Sequence, residues 1–351
     1  MSNVNFNGLS GREIAGCELI RELGSGSSGV VYLANQKRLD RLVACKLLRV
    51  ENTEDQLFVK SLFAEARNAA KLAHPNVVQA LDVGVTEDGI NYFVMEYADG
   101  SSLETIRLEH PEIISPRFLL DLSLQLAGAL DYAWENYSMI HGDIKPGNML
   151  IRTNDHQLKL CDLGLAHSTI GEDDSTADDV MVTPLYAAPE IIRRQKRTPD
   201  PRSDIYSFGV MLYELCCGAA PFRGSLEEII EGHLAVTPLP LIRQNPDMDG
   251  EMAAFIDRML KKDPAERPAN WKEVRSVLGA VRKRLYPDAM PIVAVSGNTP
   301  VTAQVRTAVT GSFGNEVPES PGFFARHPML IPAVLLTVIL LAVGAILLQM
   351  R

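Results

Sequence analysis

The segment His141–Asn148 reads HGDIKPGN, and a second motif, Asp-Leu-Gly, begins fourteen residues after its end, at Asp162. Asp143 can accept the proton of an attacking hydroxyl group, and Lys145 can neutralise charge on a phosphoryl group during its transfer. Asn148 and Asp162 offer the hard oxygen ligands that Mg2+ prefers. This spacing of an acid, a lysine, an amide and a second acid predicts phosphoryl transfer from a magnesium-bound nucleotide.

Length, charge and cysteine usage narrow the class of protein. The chain has 351 residues, of which 46% are hydrophobic and 22% are charged, so a packed two-lobed body with additional segments is expected. The formal net charge of -10 argues against a nucleic-acid-binding protein. The five cysteines have no metal-ligand spacing and fit a reducing cytosol rather than a disulfide framework.

The hydrophobic pattern changes along the chain and predicts an α+β fold. Residues 17–97 consist of short β-rich segments between turn signals, with one helix expected at Leu57–Leu72. The expected strands are Glu18–Leu23, Val30–Ala34, Leu42–Arg49, Val77–Val85 and Ile90–Tyr97. The expected later helices are Pro116–Tyr137, Ser203–Cys217, Gly250–Lys261 and Trp271–Leu285. A small β-rich lobe followed by a larger helical lobe fits this order.

The C-terminal part of the chain changes character twice. Residues 286–327 are rich in Pro, Gly, Ser, Thr and Val, which predicts a flexible linker. Met329–Leu348 has no charged residue, and as a helix it would span roughly 30 Å, the thickness of the hydrocarbon core. A buried core helix is the alternative interpretation. The predicted divisions are an extension at 1–16, an enzyme domain at 17–285, a linker at 286–327 and a transmembrane helix at 328–349.

Three glycines form a GxGxxG pattern between two expected strands. Gly24, Gly26 and Gly29 would let the backbone approach phosphates, because glycine has no Cβ in the way. A dinucleotide-binding turn would be followed by a helix, whereas Val30–Leu33 is strand-like. Glycine-rich turns are common, so the pattern alone is a weak indication of nucleotide binding.

Further motifs follow at consistent spacing. Val43–Lys46 reads VACK, Val182–Glu190 ends in Ala-Pro-Glu, Asp204 lies in an expected helix, and Arg267 lies in a Glu-Arg-Pro sequence. Together with the two motifs described first, they resemble the eukaryotic-like (Hanks-type) Ser/Thr protein kinases of bacterial type over about residues 17–285. The resemblance implies a bilobal protein-kinase fold that binds ATP and Mg2+ and phosphorylates Ser and Thr hydroxyls of protein substrates.

The resemblance also implies a role for individual residues. Lys46 would contact the α- and β-phosphates and be held by Glu65 from the small-lobe helix. The implied catalytic residues and metal ligands are Asp143, Lys145, Asn148 and Asp162. The other implied ATP contacts are the glycines, the apolar residues around the purine, the gatekeeper and the hinge: Gly24, Gly26, Gly29, Val31, Ala44, Leu150, Met95, Glu96 and Ala98. The apolar members could equally serve as core packing, and both roles can hold together.

Two structural contacts are implied as well. Glu190 would form a buried ion pair with Arg267, and Asp204 would brace the backbone of the catalytic loop. Both contacts would link the motifs to the helical lobe rather than take part in the chemistry.

One residue departs from the family pattern. Gly142 stands where the family usually has an arginine, which pairs with a phosphate on the loop between Asp162 and Glu190. Without that cation, we expect activity that does not depend on phosphorylation of this loop. Replacement of the missing cation by another basic residue, such as Arg67, remains an alternative.

Two functional hypotheses follow. The first is a single-pass membrane kinase whose catalytic domain faces the cytoplasm, where ATP is found; Arg326 and His327 next to the span are a weak positive-inside cue. Its partners would be ATP, protein substrates and the membrane, and self-association for autophosphorylation is compatible with it. The second is a catalytically silent pseudokinase scaffold, which would normally have lost the lysine or an acid that this chain retains.

Overall fold

The computed structural model describes residues 8–26, 29–48, 70–162, 184–193 and 200–287. Several expectations from the sequence concern other residues and stay predictions. They are the role of Glu65, the transmembrane helix, and most of the linker and of the helix expected at 57–72. Within the described ranges, no helix is both long enough and apolar enough to cross a membrane.

A six-stranded antiparallel sheet forms the N-terminal part of the fold. Its strands are β1 (Glu13–Ile14), β2 (Cys17–Gly26), β3 (Gly29–Gln36), β4 (Arg41–Leu48), β5 (Ala80–Val85) and β6 (Asn91–Glu96). They are arranged in the order β1-β2-β3-β4-β6-β5. The strands expected at Glu18–Leu23 and Val30–Ala34 are confirmed, since they lie within β2 and β3.

The strand register places two sets of side chains on opposite faces of this sheet. Successive residues of a strand point to opposite faces, so the odd- and even-numbered residues of β4 separate. One face is the buried core of the sheet, which contains Ile14, Cys17, Leu19, Val30, Tyr32, Ala34, Val43, Cys45, Leu47, Ile90 and Val94. On the other face Val31 pairs with Lys46, and Met95 pairs with Ala44. Residues expected to bind nucleotide therefore share the face opposite the sheet's own core.

The chain after the sheet is mainly helical. The helices are α1 (Leu103–Glu109), α2 (Pro116–Tyr137), α3 (Pro189–Ile192), α4 (Pro201–Cys217), α5 (Leu226–Leu234), α6 (Leu241–Gln244), α7 (Gly250–Met259) and α8 (Trp271–Leu285). Most residues of α4 are buried, including Ile205, Phe208 and Leu212. A helix that is buried on nearly all sides belongs inside a domain, so α4 is the centre of this lobe.

Local capping chemistry explains why two long helices end where they do. Ser115 accepts a hydrogen bond from the backbone N–H of Phe118 at the start of α2, and Ser138 adopts the left-handed conformation after its end. The expected bounds of α2 and α8 are confirmed. The expected bounds of α4 and α7 differ from the observed ones by two residues at one end.

A second, three-stranded sheet is formed by one strand that precedes α1 in the chain and two strands that follow α2. It consists of β7 (Gly100–Ser102), β8 (Met149–Arg152) and β9 (Leu158–Leu160), in that order. The 3-10 turn Pro146–Asn148 leads directly into β8, and β9 leads directly into Asp162. This small sheet therefore brings the two motifs of the sequence together.

The ion pair expected between Glu190 and Arg267 is present and buried. The guanidinium donates to Glu190 through both terminal nitrogens, at 2.7 and 2.8 Å. The side chain of Arg267 is 0% exposed, and it also donates to the backbone carbonyls of Arg202, Lys261 and Lys262. A buried charge with so many partners fixes how α3, α4 and the segment before α8 meet.

Replacing Glu190 by Gln should destabilise the fold strongly. The substitution leaves the Arg267 charge buried without its counter-charge, which costs about 3–5 kcal/mol in the free energy of unfolding. Urea denaturation followed by tryptophan fluorescence measures this change, since Trp271 is buried against Phe208. The matched control is Glu135→Gln, which breaks an exposed pair with Lys272 and should leave the unfolding midpoint unchanged. Equal midpoints for the two variants would contradict the prediction.

Candidate active site

A carboxylate in the first turn of α4 fixes the backbone of the catalytic loop. Asp204 is 1% exposed, and its two oxygens accept the backbone N–H groups of His141, at 2.6 Å, and Gly142, at 2.8 Å. Hydrogen bonds to an ionised acceptor are stronger than neutral ones. Gly142 has a φ of 79°, a left-handed conformation that glycine adopts without steric cost. Gly142, which stands where the family usually has an arginine, therefore fits the backbone conformation of this turn.

The ring of His141 connects the catalytic loop to the second motif. Its Nδ1 accepts the backbone N–H of Asp143 at 3.2 Å, and its Nε2 lies 3.0 Å from the carbonyl oxygen of Cys161. Because a carbonyl can only accept, Nε2 carries the proton and the ring is the Nε2–H tautomer. One buried side chain thus sets the positions of Asp143 and of the residue before Asp162.

The side chain of Asp143, the expected proton acceptor, contacts Lys145 and Asn148 of its own loop. Lys145 Nζ lies 2.6 Å from Asp143 Oδ2. The amide nitrogen of Asn148 donates to the same carboxylate oxygen at 3.0 Å and to the backbone oxygen of Asp143 at 2.7 Å. The carboxylate is therefore held in a fixed orientation, and it is still partly exposed to solvent. A base of this kind must be both oriented and accessible to the hydroxyl it serves.

Lys46 and Asp162 meet across the two lobes. Lys46 Nζ lies 3.1 Å from each carboxylate oxygen of Asp162, although the residues are 116 positions apart. The Lys46 side chain is 7% exposed, so its charge is nearly removed from water and needs this partner. The expected phosphate-binding cation and the expected metal ligand therefore occupy one place.

The oxygen atoms of Asn148 and Asp162 fit a magnesium ion whose coordination shell is completed by the phosphates of a nucleotide. Asn148 directs its amide nitrogen to Asp143, and its amide oxygen is the atom with the hard character that Mg2+ prefers. Asp162 supplies a carboxylate of the same character. In the part of the chain that the structure describes, no group of three or more His, Cys, Asp or Glu residues could hold a metal. Mg2+ typically binds one or two carboxylates plus substrate phosphates, so this donor set suits it.

Some of the residues that are expected to surround the purine lie together on one face of the first sheet. Val31, Ala44 and Met95 lie on the same face of neighbouring strands, next to Lys46. Leu150 belongs to β8 in the second sheet, where its partners are Ser102 and Lys159. Gly24 and Gly26 lie at the exposed end of β2, and Gly29 begins β3 opposite Gly26. Glu96 ends β6, and Ala98 is buried two residues later.

An ion pair at the hinge was missed by sequence reasoning. Lys159 Nζ lies 2.6 Å from Glu96 Oε1 and 2.9 Å from Oε2, and the lysine side chain is 8% exposed. The pair joins the end of β6 to β9, so it fixes the hinge relative to the strand that leads to Asp162. A signal was present in the sequence, because Lys159 is a single charge between two leucines.

The segment before Ala-Pro-Glu is anchored to α4 by a tyrosine. Tyr186 donates its hydroxyl to Glu214 at 2.6 Å, and the other Glu214 oxygen lies 3.7 Å from Arg107 of α1. Burial, and then the bond to Glu214, raise the pKa of the Tyr186 hydroxyl. The hydroxyl therefore stays protonated and acts as the donor. The position of Thr183, which the resemblance places near Asp143, lies outside the described residues.

The chain is similar to known protein kinases. A family model described as the protein kinase domain matches residues 17–277. The chain is similar to the serine/threonine-protein kinase PknB of Mycolicibacterium smegmatis, with 32% identity over 335 residues that cover 93% of this chain and 53% of the relative. It is similar to PrkC of Bacillus subtilis, with 36% identity over 264 residues, 74% of this chain and 39% of the relative. The chain thus spans about half or less of these relatives.

A solved structure of a kinase domain also resembles this chain. The kinase domain of PknI from Mycobacterium tuberculosis is similar to this chain with a TM-score of 0.62 and 26% identity, and the match covers 77% of this chain and 98% of that one. The β-rich and helical lobes described above agree with this similarity. With the family match over residues 17–277, we conclude that this chain belongs to the protein kinase domain family.

Proposed function

We propose that this protein is an ATP-dependent Ser/Thr protein kinase that is anchored to the membrane by its C-terminal segment and phosphorylates cytoplasmic proteins. The observation that carries the catalytic part is that two charge pairs, Lys46 with Asp162 and Lys145 with Asp143, are linked through one buried side chain. The ring of His141 bonds to the N–H of Asp143 and to the carbonyl of Cys161, next to Asp162. The similar proteins PknB and PrkC are serine/threonine-protein kinases, which supports Ser and Thr hydroxyls as the acceptors.

Each residue of the proposed active site has a separate role in the transfer of the phosphoryl group. Bound Mg2+-ATP would supply the γ-phosphoryl group and part of its charge neutralisation. Asp143 accepts the proton of the substrate hydroxyl as its oxygen attacks, and Lys145 offsets negative charge near the transferring group. Lys46 would hold phosphate oxygens, while Asn148 and Asp162 would provide the metal ligands. Because the transfer requires little covalent chemistry from the protein, positioning by Asp204 and His141 is a large part of the function.

The alternative is a silent scaffold that keeps the fold and recruits partners. A scaffold does not need a lysine and an acid held at 2.6 Å in a partly exposed loop. Desolvated charges such as Lys46 are costly to maintain without a use. We therefore favour activity, and the first experiment below separates the two functions.

Asp143→Asn and Asp162→Ala should each abolish phosphate transfer. The first removes the proton acceptor, which contributes roughly 100-fold or more to such reactions, and the second removes a metal ligand. Lys46→Met should lower the rate by orders of magnitude through loss of phosphate positioning. The measurement is incorporation of labelled phosphate from ATP and Mg2+ into a generic protein substrate.

The matched control for this series is Asp155→Asn. Asp155 is an exposed acid that pairs with Arg152 after β8, so its loss should leave the rate unchanged. A cooperative melting transition and a wild-type circular dichroism spectrum establish that the inactive variants are folded. Asp162→Ala should melt at a lower temperature, because it leaves the buried Lys46 without its partner. A wild-type rate in Asp143→Asn or Asp162→Ala would refute the assigned roles. Absence of incorporation by the wild-type protein would favour the scaffold.

The membrane part of the proposal is supported by the sequence of Met329–Leu348. This segment has no charged residue over twenty positions, and Arg326 and His327 precede it. Basic residues beside a span favour the cytoplasmic side, which is also where ATP is available. The proposed arrangement is a single pass with the kinase domain in the cytoplasm, where self-association would allow autophosphorylation.

Deletion of residues 328–351 should release the protein from membranes and preserve its activity in solution. The deletion removes the apolar span, and the linker separates that span from the catalytic residues. Sedimentation after alkaline carbonate extraction measures the release. The control is an equally long deletion in the linker, residues 298–321, which should leave the protein in the pellet. Sedimentation of both deletion variants would contradict the proposed anchor.

A further inference from the structure

The turn that contains Leu185 is held from two sides by side chains of the helical lobe. Pro184–Tyr186 forms one 3-10 turn, and its internal bond, from the N–H of Ala187 to the carbonyl of Pro184, is long at 3.3 Å. On one side Tyr186 donates to Glu214. On the other side the carbonyl oxygen of Leu185 lies 2.9 Å from Nε2 of His233 in α5. The orientation of the turn therefore depends on side-chain contacts more than on its own backbone bond.

The protonation state of His233 follows from its partners. Leu185 offers only an acceptor, so Nε2 of His233 must carry the proton. Nδ1 lies 3.0 Å from the hydroxyl oxygen of Tyr206, and Lys262 Nζ lies 3.3 Å from the same oxygen. An ammonium group can only donate, so the Tyr206 hydroxyl accepts from Lys262 and donates to Nδ1. Lys262, Tyr206, His233 and Leu185 thus form a hydrogen-bond chain with a single direction.

The imidazole ring is also fixed by packing. His233 is 1% exposed, and its ring meets the edges of Phe222 and Tyr206 at centroid distances of 4.9 and 5.7 Å. The end of α5 is held as well, because Lys262 donates to the carbonyl of Gly232 at 2.7 Å. Cations at these last carbonyls also complement the helix dipole. The ring therefore has little freedom to leave the Leu185 carbonyl.

Burial keeps the His233 ring neutral. Burial lowers the pKa of His233 to about 4; the bond to Leu185 opposes this effect and the Lys262 ammonium adds to it. Burial, together with the charges of Arg267 and Arg193, lowers the pKa of Lys262 to about 8. A neutral ring stabilises the fold above the ordinary histidine pKa of 6.5, and this contribution is lost as the pH falls towards 4. At neutral pH the hydrogen-bond chain is intact.

We propose that His233 is a positioning residue for the protein substrate, which it orients by holding the carbonyl of Leu185. Residues 182–190 resemble the substrate-docking segment of the family, so this inference rests on the proposed kinase function. The bond acts on the backbone of the docking turn and has no contact with the phosphate-binding residues in the described structure. Its loss should therefore impair the binding of protein substrate and spare the binding of ATP.

Two amide substitutions of His233 distinguish the roles of its two ring nitrogens. In His233→Gln the terminal amide nitrogen can take the place of Nε2 and donate to Leu185. In His233→Asn the shorter amide can take the place of Nδ1 towards Tyr206, but it does not reach Leu185. At saturating ATP, we expect the His233→Asn variant to have a KM for a generic protein substrate at least fivefold above the wild-type value, with kcat within twofold. We expect its KM for ATP, measured separately, to stay within twofold of wild type. We expect Gln to restore the KM to within twofold.

The full-length protein carries these substitutions, and Glu231→Gln is the control. Glu231 is exposed on the same helix, so its variant should match the wild type in every constant. Equal KM values for the Asn and Gln variants would overturn the assignment, whether both are normal or both are raised. An increase in the KM for ATP that accompanies the increase for protein substrate in the Asn variant would overturn it as well.

Hydrogen exchange provides a readout that does not require turnover. The backbone amides of residues 185–188 should exchange at least fivefold faster in the Asn variant and at the wild-type rate in the Gln variant. If the wild-type protein phosphorylates nothing, the proposed function fails, and with it the substrate role of His233. The exchange experiment then still decides whether His233 holds the turn. Equal exchange in the two variants would overturn the positioning role even in an active kinase.

Discussion

The catalytic loop depends on one buried carboxylate. Asp204 accepts the backbone N–H groups of His141 and Gly142, and it does so from α4, the helix around which the lobe is packed. His141 then extends this order to the N–H of Asp143 and to the carbonyl of Cys161, next to Asp162. The positions of the proposed proton acceptor, Asp143, and of the proposed metal ligand, Asp162, thus both depend on this helix. Positioning of this kind is where a phosphoryl-transfer enzyme obtains most of its rate.

Two buried lysines join the sheet lobe to the rest of the molecule. Lys46 pairs with Asp162, and Lys159 pairs with Glu96, so each pair has one member on the six-stranded sheet. A buried pair gains little net stability, because desolvation of the charges offsets their attraction. Its geometry is nevertheless strict, since either charge left alone would be costly. We infer that these pairs serve to align the lobes, the first at the proposed phosphate-binding site and the second at the proposed hinge.

The sequence was informative where the signal is local and less so where partners are far apart. The helices Pro116–Tyr137 and Trp271–Leu285 were predicted with their observed bounds. Amphipathic periodicity and capping residues both lie within the helical segment itself, so they can be recognised in the sequence. The strands β7 to β9 were missed because each is very short, and β7 in addition pairs with a distant segment, Gly100 with Arg152. The bond from His233 to Leu185 spans 48 positions and the pair of Lys159 with Glu96 spans 63. Neither periodicity nor motif spacing reports on such contacts.

Helix α4 also sets the distance between the two parts of the site. Asp204 anchors the catalytic loop and Glu214 anchors Tyr186 of the docking turn; ten residues of helix separate these carboxylates by roughly 15 Å. Between them lies Gly209, where an added Cβ would lie 2.7 Å from the Cβ of Met259 in α7. The glycine allows the two helices to approach closely, which keeps α4 in one position. A larger residue there would force the helices apart and move both carboxylates together, so their spacing would survive while their alignment with the rest of the lobe would not.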